Sequence, residues 1–498
     1  MLAVNSVSEF ASCQISNLES ITLKLSQATF NDKEMQNLVD CFEKCSKLTY
    51  LSIQINPSAI DDQNIKLFLT GIQKLTLLKN LQLDLNLNCS QSYGILELGF
   101  NLQFMYNLTD LDLNLSNHLI SNNGALCLVK SLENCQNIQT LKLLLRGAGI
   151  SEKGIADIFQ GICQNKNLTS LTIDLDHNQI GCQGATDIGI NLAQLKQLKI
   201  LVLEINFNQI RDEGIKNLGE GIKQIKSLVV LHLFLRYNYF TNAGVSQLGN
   251  CIGQCENMQS LILDFGFNKL LSDENNFELI SCLASNKNLN KLQLELNSCQ
   301  IDSQIAAKIG KGLSQLFNLK KLTLRLNYNT IEYVGVCHLA DYLSLCQNLN
   351  ELNLNLEQNK IGDQGVIGLT SNIKKIQNLQ YLSLDLKNVQ LGNQGIEQLA
   401  LNLGNHSNLI QLKLHLHGNN IEDKGGFSLG FNLGLSKSLQ ILQLFIGANK
   451  LTDFGKNQMF SNLKNSKQLI ALNIAKRNSI NQITKNKLLK MLRLTNLT

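Results

Sequence analysis

Sixteen apolar residues at a near-constant spacing constrain this chain more than anything else in it. Leu18, Leu48, Leu78, Leu108, Ile138, Leu168, Leu198, Leu228, Met258, Leu289, Leu319, Leu349, Leu379, Leu409, Leu439 and Leu469 head sixteen similar segments. Every step is thirty residues except the thirty-one between Met258 and Leu289. A fixed period of this length marks a stacked array of supersecondary units, none of which can bury its apolar side alone. The unit is clearest between Leu168 and Gln197. Leu171, Ile173 and Leu175 alternate with Thr172 and Asp174, the pattern of a half-buried strand. After Asn178, Ile180 and Gly184, apolar residues return at helical spacing at Ile188 and Leu192. Each segment is therefore expected to be strand, turn and helix, with parallel strands and the helices crossing over on one side. Helices are wider than the strand spacing of about 4.8 Å, so the array should curve into a horseshoe, sheet inside and helices outside.

The columns of this array have physical reasons. An Asn recurs where the chain leaves the strand (Asn178, Asn208, Asn238, Asn268, Asn329, Asn359, Asn419, Asn449, and earlier Asn88). A buried turn there has backbone groups that no ladder can satisfy, and an amide supplies both donor and acceptor. A Gly column (Gly154, Gly184, Gly335, Gly365 and others) permits close packing or positive φ where the helix starts. Glu34, Asn64, Glu274 and Ile305 replace it in four repeats. The added residue near Leu270 predicts a bulge from Leu270 to Glu278.

The motif L-x-x-L-x-L-x-L-x-x-N-x-I-x-x-x-G-x-x-x-L resembles the ribonuclease-inhibitor-like class of leucine-rich repeats over essentially the whole chain. That class has units of about 28 or 29 residues. The extra alternating leucine here (Leu175 after Leu171 and Ile173) is read as a longer concave strand. The resemblance implies an α/β leucine-rich-repeat solenoid, a horseshoe with a parallel concave sheet and convex helices. Its expected divisions are an N-terminal cap segment (1–17), sixteen repeats (18–480) and a basic C-terminal cap helix (481–498).

Composition narrows the function classes. The single proline, Pro57, and the lack of any Pro/Gly/Ser-rich stretch leave no candidate linker. Several of the 14 cysteines recur just before a strand (Cys45, Cys135, Cys255, Cys346), which reads as core packing of free thiols and implies a reducing compartment. The helical pairs Cys41/Cys45 and Cys251/Cys255 lack further ligands for a metal. The first twenty residues lack a basic, long-apolar leader pattern, and no apolar run approaches the roughly 20 residues of a membrane span. Residues 461–498 hold eight Lys and Arg and no acid. Removing those eight from the 44 Lys and Arg leaves 36 bases against 39 acids, a net charge of −3. The body of the chain is thus a poor match for nucleic acid, and no cofactor is indicated.

Two motifs suggest chemistry and neither carries it. Asp264-Phe265-Gly266 matches the metal-binding tripeptide of protein kinases, but it lies in repeat register with no phosphate loop or catalytic loop elsewhere. His415 and His417 share a strand face without a third ligand. No catalytic residue is assigned, and the protein is expected not to be an enzyme.

Repeat register identifies the exposed sheet face directly. One column reads Asp174, Glu204, Phe234, Asp264, Glu295, Arg325 and, further on, His415 and Phe445, with Asp176 and Arg236 flanking. Like charges on adjacent strands repel at about 5 Å, and a basic partner would explain them. Exposed aromatics such as Phe234 and Phe445 are typical interface anchors. The expected site is therefore Asp174, Asp176, Glu204, Phe234, Arg236, Asp264, Glu295, Arg325 and Phe445, on the concave face, binding a protein partner of basic character. The expected function is a non-enzymatic interaction scaffold. A structural subunit of a ciliary or cytoskeletal assembly is one form of it, since the Asn/Gln/Lys/Ile-heavy usage resembles that of AT-rich protist genomes. Cytoplasm or cilium is the expected location. The alternative implied by the resemblance is a GTPase-activating factor of the Ran type.

Overall fold

Period-two alternation in the sequence becomes period-two burial in the strands, and this sets the architecture. The computed structural model describes residues 2–25, 30–55, 62–85, 93–117, 119–270 and 277–474. The chain divides into two units, Met1–Phe240 and Thr241–Thr498. The first holds β1 (Leu2–Val4), β2 (Ser20–Leu25), β3 (Tyr50–Ile55), β4 (Asn80–Asp84), β5 (Asp110–Asn114), β6 (Thr140–Leu144), β7 (Ser170–Asp174), β8 (Ile200–Glu204) and β9 (Val230–Phe234). The second holds β10 (Ser260–Asp264), β11 (Lys291–Glu295), β12 (Lys321–Arg325), β13 (Glu351–Asn355), β14 (Tyr381–Asp385), β15 (Gln411–His415), β16 (Ile441–Phe445) and β17 (Ala471–Ile474).

Within each unit, consecutive strands pair in parallel and residues one repeat apart face each other. Ser170 pairs with Ile200 and Ile200 with Val230 in the first unit, and Lys291 with Lys321 in the second. The pairing of Ser260 with Lys291 carries the extra residue. It is absorbed after β10, where the helix shrinks to Leu279–Leu283. Residues 271–276 of the expected bulge lie outside the described residues.

Helices alternate with the strands, as in Gly181–Leu192 and its neighbour Arg211–Ile222. Their apolar side and the inner sheet face share one continuous core in each unit. Leu168, Leu171, Ile173, Leu175, Ile180, Ile188, Leu192 and Leu195 are all buried in a single repeat, each contributing about 2 kcal/mol of apolar transfer. Such burial needs a neighbour on either side, which is why the repeats stand only as an array. Each unit is an α/β solenoid.

Two expectations change in detail. The third leucine does not lengthen most strands: those from β4 to β16 have five residues and stop one short of it. Leu175 is nonetheless buried and its N–H donates to Glu204 O at 2.7 Å, so pairing continues into the turn. The Gly column serves close approach rather than backbone angle. A Cβ on Gly335 would lie 2.5 Å from Ser303 Cα, whereas positive φ falls three residues earlier in the repeat, at Gly181 and Gly362. Where glycine is missing, a side chain caps the helix instead: Asn31 and Glu34 form a capping box, and Asp302 Oδ1 accepts from Ile305 N at 2.8 Å.

The N-terminal segment is itself built like the repeats. β1 pairs with β2, and Phe10 of the helix Val7–Ser12 meets Phe42, which meets Phe68, with ring centroids 6.1 and 6.2 Å apart. The C-terminal basic segment, 481–498, lies outside the described residues.

Candidate partner-binding surface

Where each strand ends, the chain must turn while its backbone is buried, and asparagine makes this possible. Asn208 Nδ2 donates to Leu175 O and Asn206 O, both at 2.9 Å, while Oδ1 accepts from Asn178 N at 3.2 Å and Ile180 N at 3.3 Å. Asn178, Asn329, Asn359 and Asn419 repeat the pattern. The amide of one repeat thus satisfies the turn of the preceding one.

The acidic column partly serves the same turn. Asp174 Oδ1 accepts from Asp176 N at 2.9 Å and Asp264 Oδ1 from Gly266 N at 3.0 Å. Asn114, Asn355 and Asp385 do likewise with the N–H two residues on. These are Asx turns, so folding itself favours a short acid or amide here. Asp176 is also engaged: it is buried, ion-paired to Arg146 Nη1 at 3.2 Å, and it accepts from Asn206 N at 2.8 Å and Nδ2 at 3.0 Å.

Burial corrects the expected site further. Asp264 and Glu295 were expected to face solvent, but they are 2% and 4% exposed. Asp264 folds back on its own turn. Glu295 accepts from Gln293 Nε2 at 2.7 Å and lies 3.6 Å from Arg325 Nε. Both belong to the second unit and are not part of an open acidic face. Arg325 is exposed, and Arg236 is half-buried with its N–H on Asn206 Oδ1 at 2.7 Å. Phe234 and Phe445 are half-buried on the sheet face.

Glu204 stands apart. It is half-buried opposite Asp174 on β7 and Phe234 on β9. Its carboxylate, one methylene further out than that of Asp, makes no hydrogen bond or ion pair among the described residues. Burial pushes its carboxyl up to about 7, with Asp174 and Asp176 adding repulsion and Arg146 and Lys142 opposing it. Burial likewise raises Asp174. The oxygens of Asp174, Asp176 and Glu204 converge within 4.8 Å of one another, the one metal-capable group of three among the described residues. Protein donors already occupy both Asp176 oxygens, so no metal is assigned there.

Sequence reasoning passed over the residues just before each Asn. His177, Phe207 and Tyr237 are exposed and stack ring on ring, with centroids 4.1 and 4.3 Å apart and planes inclined by 14° and 18°. The signal was present as His-Asn, Phe-Asn and Tyr-Asn at one column. In the second unit, His415 stacks on Phe445 at 4.3 Å with planes 5° apart, and Lys413 Nζ lies 5.7 Å from the Phe445 centroid. Burial lowers the His415 imidazole to about 4, which suits a packing ring rather than a metal ligand.

The cysteines are structural. Among the described residues thirteen are thiols outside any disulfide. Burial raises Cys45 and Cys135 to about 11 and Cys346 to about 12. Cys45 Sγ donates to Cys41 O at 3.2 Å and Cys135 Sγ to Leu102 O at 3.2 Å. No helix among the described residues is long and apolar enough to cross a membrane.

The leucine-rich-repeat family model matches residues 197–219, 345–369 and 412–430, segments that fall within the repeats in both units. Those matches coincide with a strand–turn–helix unit recurring every thirty residues and with leucines facing the core. The chain is a leucine-rich-repeat protein. Solved structures similar to this leucine-rich-repeat chain include a leucine-rich-repeat protein of Leptospira interrogans, 18% identical, with 99% of each chain covered and a TM-score of 0.46. Another is a chain from the yeast Rad7 and Elc1 complex, 16% identical, covering 87% of this chain and 92% of that one, with a TM-score of 0.43. Comparison with curated proteins finds no match.

Proposed function

We propose that the protein is a non-enzymatic scaffold that holds a protein partner of basic character on the solvent face of its sheet. The observation that carries this is Glu204, a half-buried carboxylate with no hydrogen bond, raised to about 7 and set between Asp174 and the half-exposed Phe234. Such a group weakens the fold, and a cationic partner surface would offset that loss on docking. Phe234 and, in the second unit, Phe445 are the aromatic anchors. Buried thiols with raised pKa values suit a reducing compartment, in keeping with cytoplasm or cilium.

The test is affinity capture with wild type beside a Phe234→Ala/Glu204→Lys double variant and a Phe445→Ala variant, each checked for folding by circular dichroism. Loss of specific partners from the double variant supports the reading. Recovery of the same partners by all three proteins refutes it.

A further inference from the structure

Each residue preceding a turn asparagine adopts a left-handed backbone, with φ of 55° at His177, 59° at Phe207 and 53° at Tyr237. Bulky side chains seldom adopt that conformation, and glycine does so without strain. The same column holds Gly147 at 62°, Gly418 at 67°, Asn388 at 52° and Ala448 at 51°. The fold therefore does not require rings there. Four consecutive rings in the column, His177, Phe207, Tyr237 and, in the second unit, Phe267 with φ of 60°, are retained against backbone preference, and they lie at the surface, where Phe207 is 39% and Tyr237 38% exposed.

The stack stops abruptly on one side. In the repeat before His177 the column is Gly147, whose N–H donates to Asp176 O at 2.8 Å, so the two repeats are in direct register. Gly147 has no side chain to cover the outer face of the His177 ring. A Cβ built on it would meet only Asn117 Oδ1, at 3.3 Å. The ring ladder ends at His177, and the Asn117 amide is the one group within 4 Å of the place a Cβ on Gly147 would take.

The charge around this end of the ladder selects among planar groups. Asp112, Asp174, Asp176 and Glu204 outnumber Lys142 and Arg146 by two. Lys142 is paired with Asp112 and Arg146 with Asp176, which leaves Asp174 and Glu204 without a cation. That excess repels the phosphates of a nucleic acid and attracts a cation. A guanidinium is the protein group that is both planar and permanently charged.

We infer that an arginine side chain of a basic partner peptide extends the ladder, stacked on His177 above Gly147 and neutralised by Asp174 and Glu204. This deepens the proposed function and rests on it.

The test uses the full chain and a fluorescein-labelled octapeptide of alternating arginine and glycine, with lysine and citrulline versions as comparisons, read by fluorescence anisotropy. The arginine peptide is expected to bind at least ~10-fold more tightly than the lysine peptide, and the citrulline peptide not at all. Gly147→Phe occupies that place with a residue the column already accepts at Phe207, and His177→Gly removes the platform with a residue native to the column. Each should weaken arginine binding at least ~10-fold, and the second keeps the test valid if the first misfolds. Equal binding of arginine and lysine, no binding of the arginine peptide, or wild-type affinity in both variants overturns the inference. So does binding of a twelve-residue oligothymidine that Gly147→Phe abolishes. If both variants bind like wild type while Phe234→Ala/Glu204→Lys loses its partners, the sheet-face scaffold stands and the arginine slot falls. If none of the variants changes anything, both fall.

Discussion

Replacing Asn208 with alanine should open the array from within. Asn208 is fully buried and makes four hydrogen bonds with backbone groups of its own and the preceding repeat. The loss falls unequally on them. Leu175 O keeps Asn178 Nδ2 at 3.0 Å, and Asn206 O keeps His177 N at 3.0 Å. The N–H groups of Asn178 and Ile180 lose their acceptor inside the core. Each buried unsatisfied donor costs about 1–3 kcal/mol, so the variant should lose about 2–6 kcal/mol. Against the ~5–15 kcal/mol of an ordinary domain this is large. In an array it should appear first as local opening of the adjoining repeats. Urea unfolding followed by circular dichroism measures the loss, and hydrogen exchange at residues 175–210 locates it. Gln358→Ala, at an exposed position beside Asn359, should stay within ~0.5 kcal/mol of wild type. A loss below about 1 kcal/mol at Asn208, or exchange unchanged around it, would refute the asparagine account of the turns.

Other outcomes follow from the same geometry. Gly335→Ala places its Cβ 2.5 Å from Ser303 Cα and should lower stability by about 1–3 kcal/mol in urea, whereas Gly362→Asn, with φ of 57° and open space around it, should be near neutral. Glu204 binds its proton more tightly when folded, so wild-type stability should fall as pH rises from about 4.5 to about 7. In thermal melts Glu204→Gln should gain about 1–2 kcal/mol over wild type at pH 8, after allowance for solvent screening, and nothing at pH 4. Cys346, held up at about 12, should resist iodoacetamide at pH 8 while the partly exposed Cys13 reacts, as peptide mass spectrometry would show.

Register was readable because the strand period and the repeat period are both rigid. Leu171, Ile173 and Leu175 could only be core, and Glu204 and Phe234 could only lie on the opposite face. Side-chain return was not readable. The column placed Asp174, Asp264 and Glu295 together, yet the first two fold back to cap their own turns, Glu295 is enclosed by Gln293 and Arg325, and only the longer Glu204 is left over. The aromatic ladder was visible letter by letter at His177, Phe207 and Tyr237. Its meaning depends on a left-handed turn that no apolar periodicity reports.

The sequence alone determined that strands and helices alternate at thirty residues, which residues form the core and why asparagine stands at each turn, because periodicity and backbone hydrogen bonding leave few alternatives. Tertiary structure alone decided which surface groups remain uncommitted. Whether a carboxylate finds an N–H, or a ring finds a neighbouring ring, depends on ångström-scale contacts between residues a full repeat apart.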